Sequence, residues 1–366
     1  MSAKVHAAVV ATSGDKFELT ELTLGALGPR EVRVAMKAAG ICHSDLSARD
    51  FEAIPKPIVL GHEGAGIVTE VGVGVDHISV GDHVVLGATA CGRCVDCLSG
   101  KGFACAMMFP LNMMGGRIDG STAFIDTDVR SHFFGQSSFS TESIVDAHSV
   151  TVLPADFDLT LAPAFACGAT TGSGTVFNGL RPAAGDSIAV FGTGTVGITA
   201  MLAAKISGCS TIIAVDREPD RLALAAEIAA THVIVADGRD VAAEIRQIVP
   251  TGMNYTVDTT AAPSVITSAL GVTRPGGTCA QLGVADFGVS AQLDIATVAL
   301  MGIRYQGFPG GLLPPQVQIP KLIEFYKQGQ FPVDRLVTTY PFSEIDIAAA
   351  DMAAGRVIKP ILLFDE

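Results

Sequence analysis

The sequence predicts an α/β protein in two parts: a parallel sheet wrapped by helices, and an irregular antiparallel β domain. Three observations carry this. From Ser187 onward, short apolar runs and helix-period segments take turns for about 100 residues, the mark of a parallel sheet covered on both faces. Before about residue 160 there are only short β-type runs between glycine-rich turns. The 366 residues, at about 150 per domain, leave room for two domains.

In chain order, EVRVAMKAAG, GAGIVTEVG and DHVVLG alternate or cluster branched residues between turn signals and are read as strands. SIAVF is a buried strand, TVGITAMLAAKI a small-residue helix, TIIAVD a second strand, and PDRLALAAEIAA a helix with proline at its start. HVIVA, VAAEIRQIV, YTVD, SVITSALGV and GTCAQLGV continue the alternation. QIPKLIEFYKQG and EIDIAAADMAAG are helical, and the terminal run PILLF is a strand placed to close back on the first domain.

Composition narrows the function. A formal charge of −13 repels phosphate backbones and anionic membrane surfaces, which argues against nucleic-acid and membrane partners. Ser187–Gly208 is apolar enough to imitate a membrane span, but Gly192, Gly194, Gly197, Gly208 and Lys205 break it into strand, turn and helix. The N-terminus has no secretory pattern, and a cytoplasmic protein is expected. In that compartment the eight cysteines point to metal or catalysis before disulfides.

Phe191-Gly192-Thr193-Gly194-Thr195-Val196-Gly197 sets G-x-G-x-x-G directly after a strand and at the start of a helix. The glycines permit a tight turn and close approach to a pyrophosphate, and the helix N-terminus supplies N–H groups and partial positive charge. Asp216 ends the next strand 19 residues after Gly197. A carboxylate there bonds ribose hydroxyls and repels the extra phosphate of NADP, so NAD is favoured. Arg217 and Arg221 nearby are the residues that could accommodate that phosphate instead. The bland reading is a turn with a surface aspartate.

Cys91-x-x-Cys94-x-x-Cys97-x7-Cys105 can surround one zinc tetrahedrally. All four positions are protein ligands, so this zinc is structural; an iron–sulfur cluster is the alternative occupant. A second constellation is dispersed: Cys42 in GICHSD, His62 in GHEG and Cys167 in ACGATTG. Singly these are a buried thiol, a structural imidazole and another thiol. Together they make a Cys₂His set that leaves a fourth position open, as catalytic zinc requires.

At these residues the sequence resembles the zinc-containing medium-chain alcohol dehydrogenases, from about Lys4 to Phe364. GICHSD, GHEGAGIV, the four-cysteine lobe, ACGATTG, FGTGTVG, AVD and AAGRVIKPIL appear in the family's order. FFGQSSFS and the length are most similar to bacterial aryl-alcohol (benzyl alcohol) dehydrogenases, with allylic terpene alcohol enzymes near. The resemblance implies a GroES-like catalytic domain over 1–165 and 308–366, with the zinc lobe at about 88–110. It implies a Rossmann-type NAD-binding domain over 166–307, and two zincs per chain.

It also implies roles. Cys42, His62 and Cys167 hold the catalytic zinc, with Glu63 behind it as a transient ligand. Asp45 orients the ligand imidazole, and Ser44 takes the substrate's proton. His43 contacts the coenzyme pyrophosphate. Thr171, Asp216, Arg221 and Val284 stand at coenzyme-contacting positions, with Gly192, Gly194, Thr195, Val196, Gly197 and Arg217 in the dinucleotide region. Lys359 falls where an arginine reaches the pyrophosphate. The implied reaction oxidises a primary alcohol to the aldehyde, zinc acting as Lewis acid and NAD taking the hydride. A homodimer or homotetramer is implied by analogy.

Two departures stand out. Ser47 occupies the place of the relay histidine, so the proton path must end elsewhere: at Arg49, Asp50 or His43, or through water. Gly87 replaces a bulky aromatic of the alcohol pocket, which predicts a wider pocket if no other side chain fills the space. Competing readings are glutathione-dependent formaldehyde oxidation, a short aliphatic alcohol dehydrogenase, and a zinc- or dinucleotide-binding sensor without turnover. Cys209, Cys279, His132, Phe133 and Phe134 are read as packing residues, and Met107, Met108, Met113 and Met114 as a cluster beside the cysteine lobe.

Overall fold

The run EVRVAMKAAG forms one ten-residue strand, Glu31–Gly40, buried along most of its length. A strand covered on both faces can bind partners on both edges, and this one does. Gly64–Val71 pairs antiparallel on one side, while Glu142–Asp146 and Lys359–Leu363 share the other. His83–Leu86 and then Val150–Val152 extend the sheet beyond Gly64–Val71. Gly66 is required in this ladder, because a Cβ there would strike the backbone carbonyl of Ala35. A three-stranded sheet of Ala3–Val10, Glu18–Leu24 and Ile58–Val59 completes the β framework. In the computed structural model, which describes residues 3–286 and 288–365, this framework belongs to one of two units. That unit takes the chain through Cys167, then Leu313–Glu324, then the chain from Val333.

The second unit carries six strands in the order His232–Val235, Thr211–Asp216, Ser187–Phe191, Met253–Asp258, Thr273–Gln281, Arg304–Gly307. Every pairing is parallel. Connecting helices include Thr195–Ile206, Pro219–Ile228, Val241–Ile248 and Pro263–Val272, two of them opened by proline where its missing N–H costs nothing. Strand order reverses between Ser187–Phe191 and Met253–Asp258, the switch point where open sheets of this kind take ligands at their carboxyl ends. The helix Thr195–Ile206 is buried on nearly every face, which explains its membrane-like composition. Among the described residues no helix is long and apolar enough to cross a membrane.

The boundary departs from the sequence expectation near the C-terminus. Residues 308–312 and 325–332 go with the second unit, where the Phe325 ring lies 5.6 Å from that of Phe177. The first unit regains the chain at Leu313.

Candidate metal centres and coenzyme loop

The four cysteines of the compact cluster lie together, their sulfurs within 4.8 Å of one another. Cys94 and Cys97 Sγ are 3.4 Å apart, and Cys91 and Cys97 Sγ 3.9 Å. Four sulfurs each about 2.3 Å from a zinc ion define a tetrahedron with edges of about 3.8 Å. Backbone N–H groups already point at these sulfurs: Cys91 and Met107 donate to Cys105 Sγ, and Cys94 donates to Cys91 Sγ. N–H groups of Cys97 and Ala106 hold the Cys94 thiol down at about 6, while burial and the adjoining sulfurs push Cys97 up to about 12. Four touching thiols cannot all ionise unless a cation balances them, and the donor set fits zinc. Met107 and Met108 pack against this lobe, whereas Met113 joins the larger core of the first unit.

Cys42, His62, Glu63 and Cys167 form the second cluster, again with donor atoms within 4.8 Å of one another. Cys42 is the N-cap of the helix His43–Asp50, which turns Asp45 back on the residues that precede it. The Asp45 carboxylate is fully buried and accepts three bonds. His62 Nδ1 donates to Oδ1 at 2.7 Å, the Gly61 N–H to the same oxygen at 3.2 Å, and the Cys42 N–H to Oδ2 at 2.9 Å. One carboxylate therefore fixes both the imidazole and the backbone of a thiol ligand. With Nδ1 protonated, Nε2 carries the lone pair, and that atom is buried without a hydrogen-bond partner among the described residues. An orphaned buried acceptor is costly unless a cation uses it. The hydrogen bond between Cys42 and Cys167, with His62 alongside, lowers the Cys42 thiol, and the same bond plus burial raises that of Cys167. Two sulfurs and an orphaned imidazole nitrogen match zinc chemistry.

Lys359, which falls where an arginine of the relatives reaches the pyrophosphate, has its ammonium buried, donating to Glu63 Oε2 at 2.6 Å and to the Ile41 carbonyl at 3.2 Å. The reason is electrostatic. Burial raises the Glu63 carboxyl, and a carboxylate held there needs a counter-charge. Burial alone would depress Lys359, but Glu63, with Cys42, reverses this and lifts it to about 12. The Gly87 expectation needs correction. A Cβ on Gly87 would strike the ring of Pro315, so Pro315 fills the space that the missing side chain leaves. Arg49 and Asp50 pair with each other at 2.7 Å. Ser44 is half-buried on the first turn of that helix, and His43 and Ser47 are exposed.

Of two further residues near the cluster, Phe134 was read only as packing and Gln136 was not singled out. The Phe134 ring stacks on His62 with centroids 4.5 Å apart and planes 25° from parallel. The carboxamide of Gln136 bonds the backbone on both sides of Glu63. His132, read as a packing residue, is tied to Glu31, its Nε2 3.0 Å from Oε1.

In the second unit the predicted coenzyme residues gather at the carboxyl ends of the strands. Gly192 has φ +93°, and a Cβ there would strike the Thr259 hydroxyl; a Cβ on Gly197 would strike the Gly192 carbonyl. Beside Gly194 the space is open. Thr195, Val196 and Gly197 form the first turn of Thr195–Ile206. Asp216 Oδ2 accepts the N–H and hydroxyl of Thr193, both at 2.6 Å, and Oδ1 accepts the N–H groups of Arg217 and Glu218. Those donors outweigh burial and keep its carboxyl ionised below the usual range. Thr171 lies in the helix Cys167–Gly174, whose Gly168 carbonyl accepts the Thr199 hydroxyl of the helix Thr195–Ile206. Arg217 is exposed, Arg221 half-buried, and Val284 84% exposed three residues past the strand Thr273–Gln281.

Comparison with known proteins decides the family. The alcohol dehydrogenase GroES-like domain matches residues 28–155 and the zinc-binding dehydrogenase domain residues 195–328. Geraniol dehydrogenase of Castellaniella defragrans is 35% identical, covering 98% of this chain and 97% of that protein. The chain belongs to the zinc-binding alcohol dehydrogenase family. Another family member, the S-(hydroxymethyl)glutathione dehydrogenase of Saccharomyces cerevisiae, is 32% identical over 99% of this chain and 97% of that protein. The crystal structure of benzyl alcohol dehydrogenase from Acinetobacter calcoaceticus superposes with TM-score 0.96 at 37% identity, covering 99% of this chain and all of that one. The family fold is a GroES-like domain with a parallel-sheet Rossmann domain, and both are present here.

Proposed function

We propose that this family member oxidises primary aromatic or allylic alcohols to aldehydes, using NAD and a catalytic zinc held by Cys42, His62 and Cys167. The observation that carries the reading is the orphaned His62 Nε2 grouped with two thiols and a carboxylate, separate from a complete four-sulfur cluster. Zinc, when bound, supplies Lewis acidity that lowers the pKa of an alcohol hydroxyl. The chain does the rest. Asp45 keeps the His62 proton on Nδ1, so that Nε2 stays a donor of electrons. Glu63, balanced by Lys359, puts a carboxylate behind the ligands. Ser44 accepts the substrate's proton, and the exposed His43 is the residue assigned to contact the pyrophosphate. Asp216, ionised and pre-oriented by four bonds, accepts ribose hydroxyls and repels a 2′-phosphate, which favours NAD.

The substrate class is supported by the relatives named for benzyl alcohol and geraniol, both primary alcohols with unsaturation next to the carbinol carbon. A homo-oligomer is supported by the edge strand Arg304–Gly307, exposed throughout, and by Ile295 and Leu300, which are 79% and 85% exposed. The test is a panel of benzyl alcohol, cinnamyl alcohol, geraniol and ethanol with NAD or NADP, plus formaldehyde with and without glutathione. We expect kcat/KM for the first three to exceed that for ethanol by about 100-fold. Glutathione-dependent formaldehyde oxidation as the dominant activity would replace this reading with that of the hydroxymethylglutathione relatives.

A further inference from the structure

The segment Gln136–Phe139 is bonded to the backbone that carries His62 and Glu63. Ser137 Oγ donates to the Val59 carbonyl at 2.6 Å, the Phe139 N–H to Leu60 at 3.1 Å, and the Ser138 N–H to Gly61 at 3.0 Å. Gln136 Nε2 donates to the His62 carbonyl at 2.9 Å. Four consecutive carbonyls, Val59 to His62, are thus claimed by four consecutive residues, Gln136 to Phe139. The Gln136 side chain continues past the ligand: Oε1 accepts the Gly64 N–H at 3.1 Å, and Nε2 also donates to the Gly87 carbonyl at 3.1 Å. The ladder between Gly64–Val71 and His83–Leu86 has its last pair at Ala65 and Val85. The carboxamide bridges the strands where that ladder opens. It is 1% exposed, with donor and acceptor both used.

This template is bought with backbone strain. His132, Phe134 and Ser137 have φ of 63°, 51° and 55°, a region that L side chains avoid, and Gly135 between them has φ 70°. Such strain persists only where the surroundings over-determine it, and it gathers at functional sites. Here the same turn lays the Phe134 ring on His62.

We infer that Gln136 is a positioning residue of the catalytic metal centre: its carboxamide locks the backbone on both sides of Glu63, so that the His62 imidazole meets the metal in one orientation. The inference rests on the zinc reading of Cys42, His62 and Cys167, and its metal-release and cobalt readouts are independent of the alcohol. The holoenzyme is compared with Gln136→Met, which keeps length and loses every hydrogen bond, and with Val34→Ala, a core cavity in the same unit. Zinc transfer to a chromophoric chelator is followed, together with the visible spectrum of protein carrying cobalt at the catalytic site. Gln136→Met is expected to release one zinc about 10-fold faster or more, to shift the cobalt bands, and to lower kcat more than it changes KM. Val34→Ala is expected to lose thermal stability without either metal effect. If Gln136→Met does not fold, Gln136→Asn, too short to span the three groups, carries the same measurement. Variant zinc release and cobalt bands identical to wild type, whatever the Tm, overturn the inference. A wild-type protein holding only the four-cysteine zinc overturns it together with the catalytic-zinc reading.

Discussion

Replacing Asp45 by asparagine removes one oxygen from a carboxylate whose accepting bonds are all in use. Oδ1 serves His62 Nδ1 and the Gly61 N–H, and Oδ2 serves the Cys42 N–H. An asparagine has one accepting oxygen and one donating NH₂, so a donor must face a donor somewhere. Turning the NH₂ toward Cys42 sacrifices one bond; turning it toward His62 sacrifices two, or else forces the imidazole proton onto Nε2, where metal cannot bind. The first arrangement is therefore preferred. A buried N–H left without a partner costs about 1–3 kcal/mol, equivalent to about 5- to 150-fold in an equilibrium constant. Zinc supports of this kind are typically worth about 10- to 100-fold in affinity or activity, so the two estimates agree. The assay is competition for zinc against a chelator of known affinity, with kcat on the best alcohol of the panel. Asp45→Asn should weaken the catalytic zinc by about 10- to 100-fold and leave the four-cysteine zinc untouched. Wild-type zinc affinity and turnover in this variant would refute the coupling of both ligands through one carboxylate.

Other outcomes follow from the same contacts. Lys359→Met strands the buried Glu63 carboxylate and should cost about 3–5 kcal/mol in urea unfolding; adding Glu63→Gln should restore most of it, and a single variant as stable as wild type would contradict the pairing. Asp216→Gly should move the NAD/NADP ratio of kcat/KM toward NADP by about tenfold, or ~1.4 kcal/mol, and an unchanged ratio would remove that residue from coenzyme choice. At Glu31, burial acts to raise the carboxyl, but hydrogen bonds from His132 and Arg117 overcome it and hold it at about 2. That lies below the ordinary value of about 4.3, so Glu31 stabilises fully above that value and its contribution disappears as pH falls through about 2. Glu31→Gln should therefore be clearly less stable than wild type at neutral pH, with the gap closing in acid; a gap independent of pH would place the stabilisation elsewhere.

The parallel sheet was legible because each strand and helix carries its own periodicity, and TVGITAMLAAKI coincides with the helix Thr195–Ile206. The four-cysteine cluster was legible because local spacing alone brings the sulfurs together. What escaped depends on residues far apart in the chain. Lys359 finds Glu63 across 296 positions, and nothing local in either sequence reveals a pair made necessary by burial. The room left by Gly87 is a property of Pro315, which only the fold brings near. FFGQSSFS marks a resemblance in the sequence, and its two phenylalanines read as packing, but nothing in it assigns Gln136 a part in the metal centre. The left-handed backbone at Phe134 and Ser137, which turns it into a template for the His62 segment, has no composition signal beyond Gly135.

The central claim is that one chain holds two zincs of different kinds, and metal analysis of purified protein tests it most directly. Wild type should contain two zincs per chain, Cys42→Ser one, with the fold kept and turnover lost, and Cys94→Ser should lose stability along with the other. A wild-type protein with one zinc or none, or a Cys42→Ser variant that keeps two and still turns over alcohol, would contradict the account.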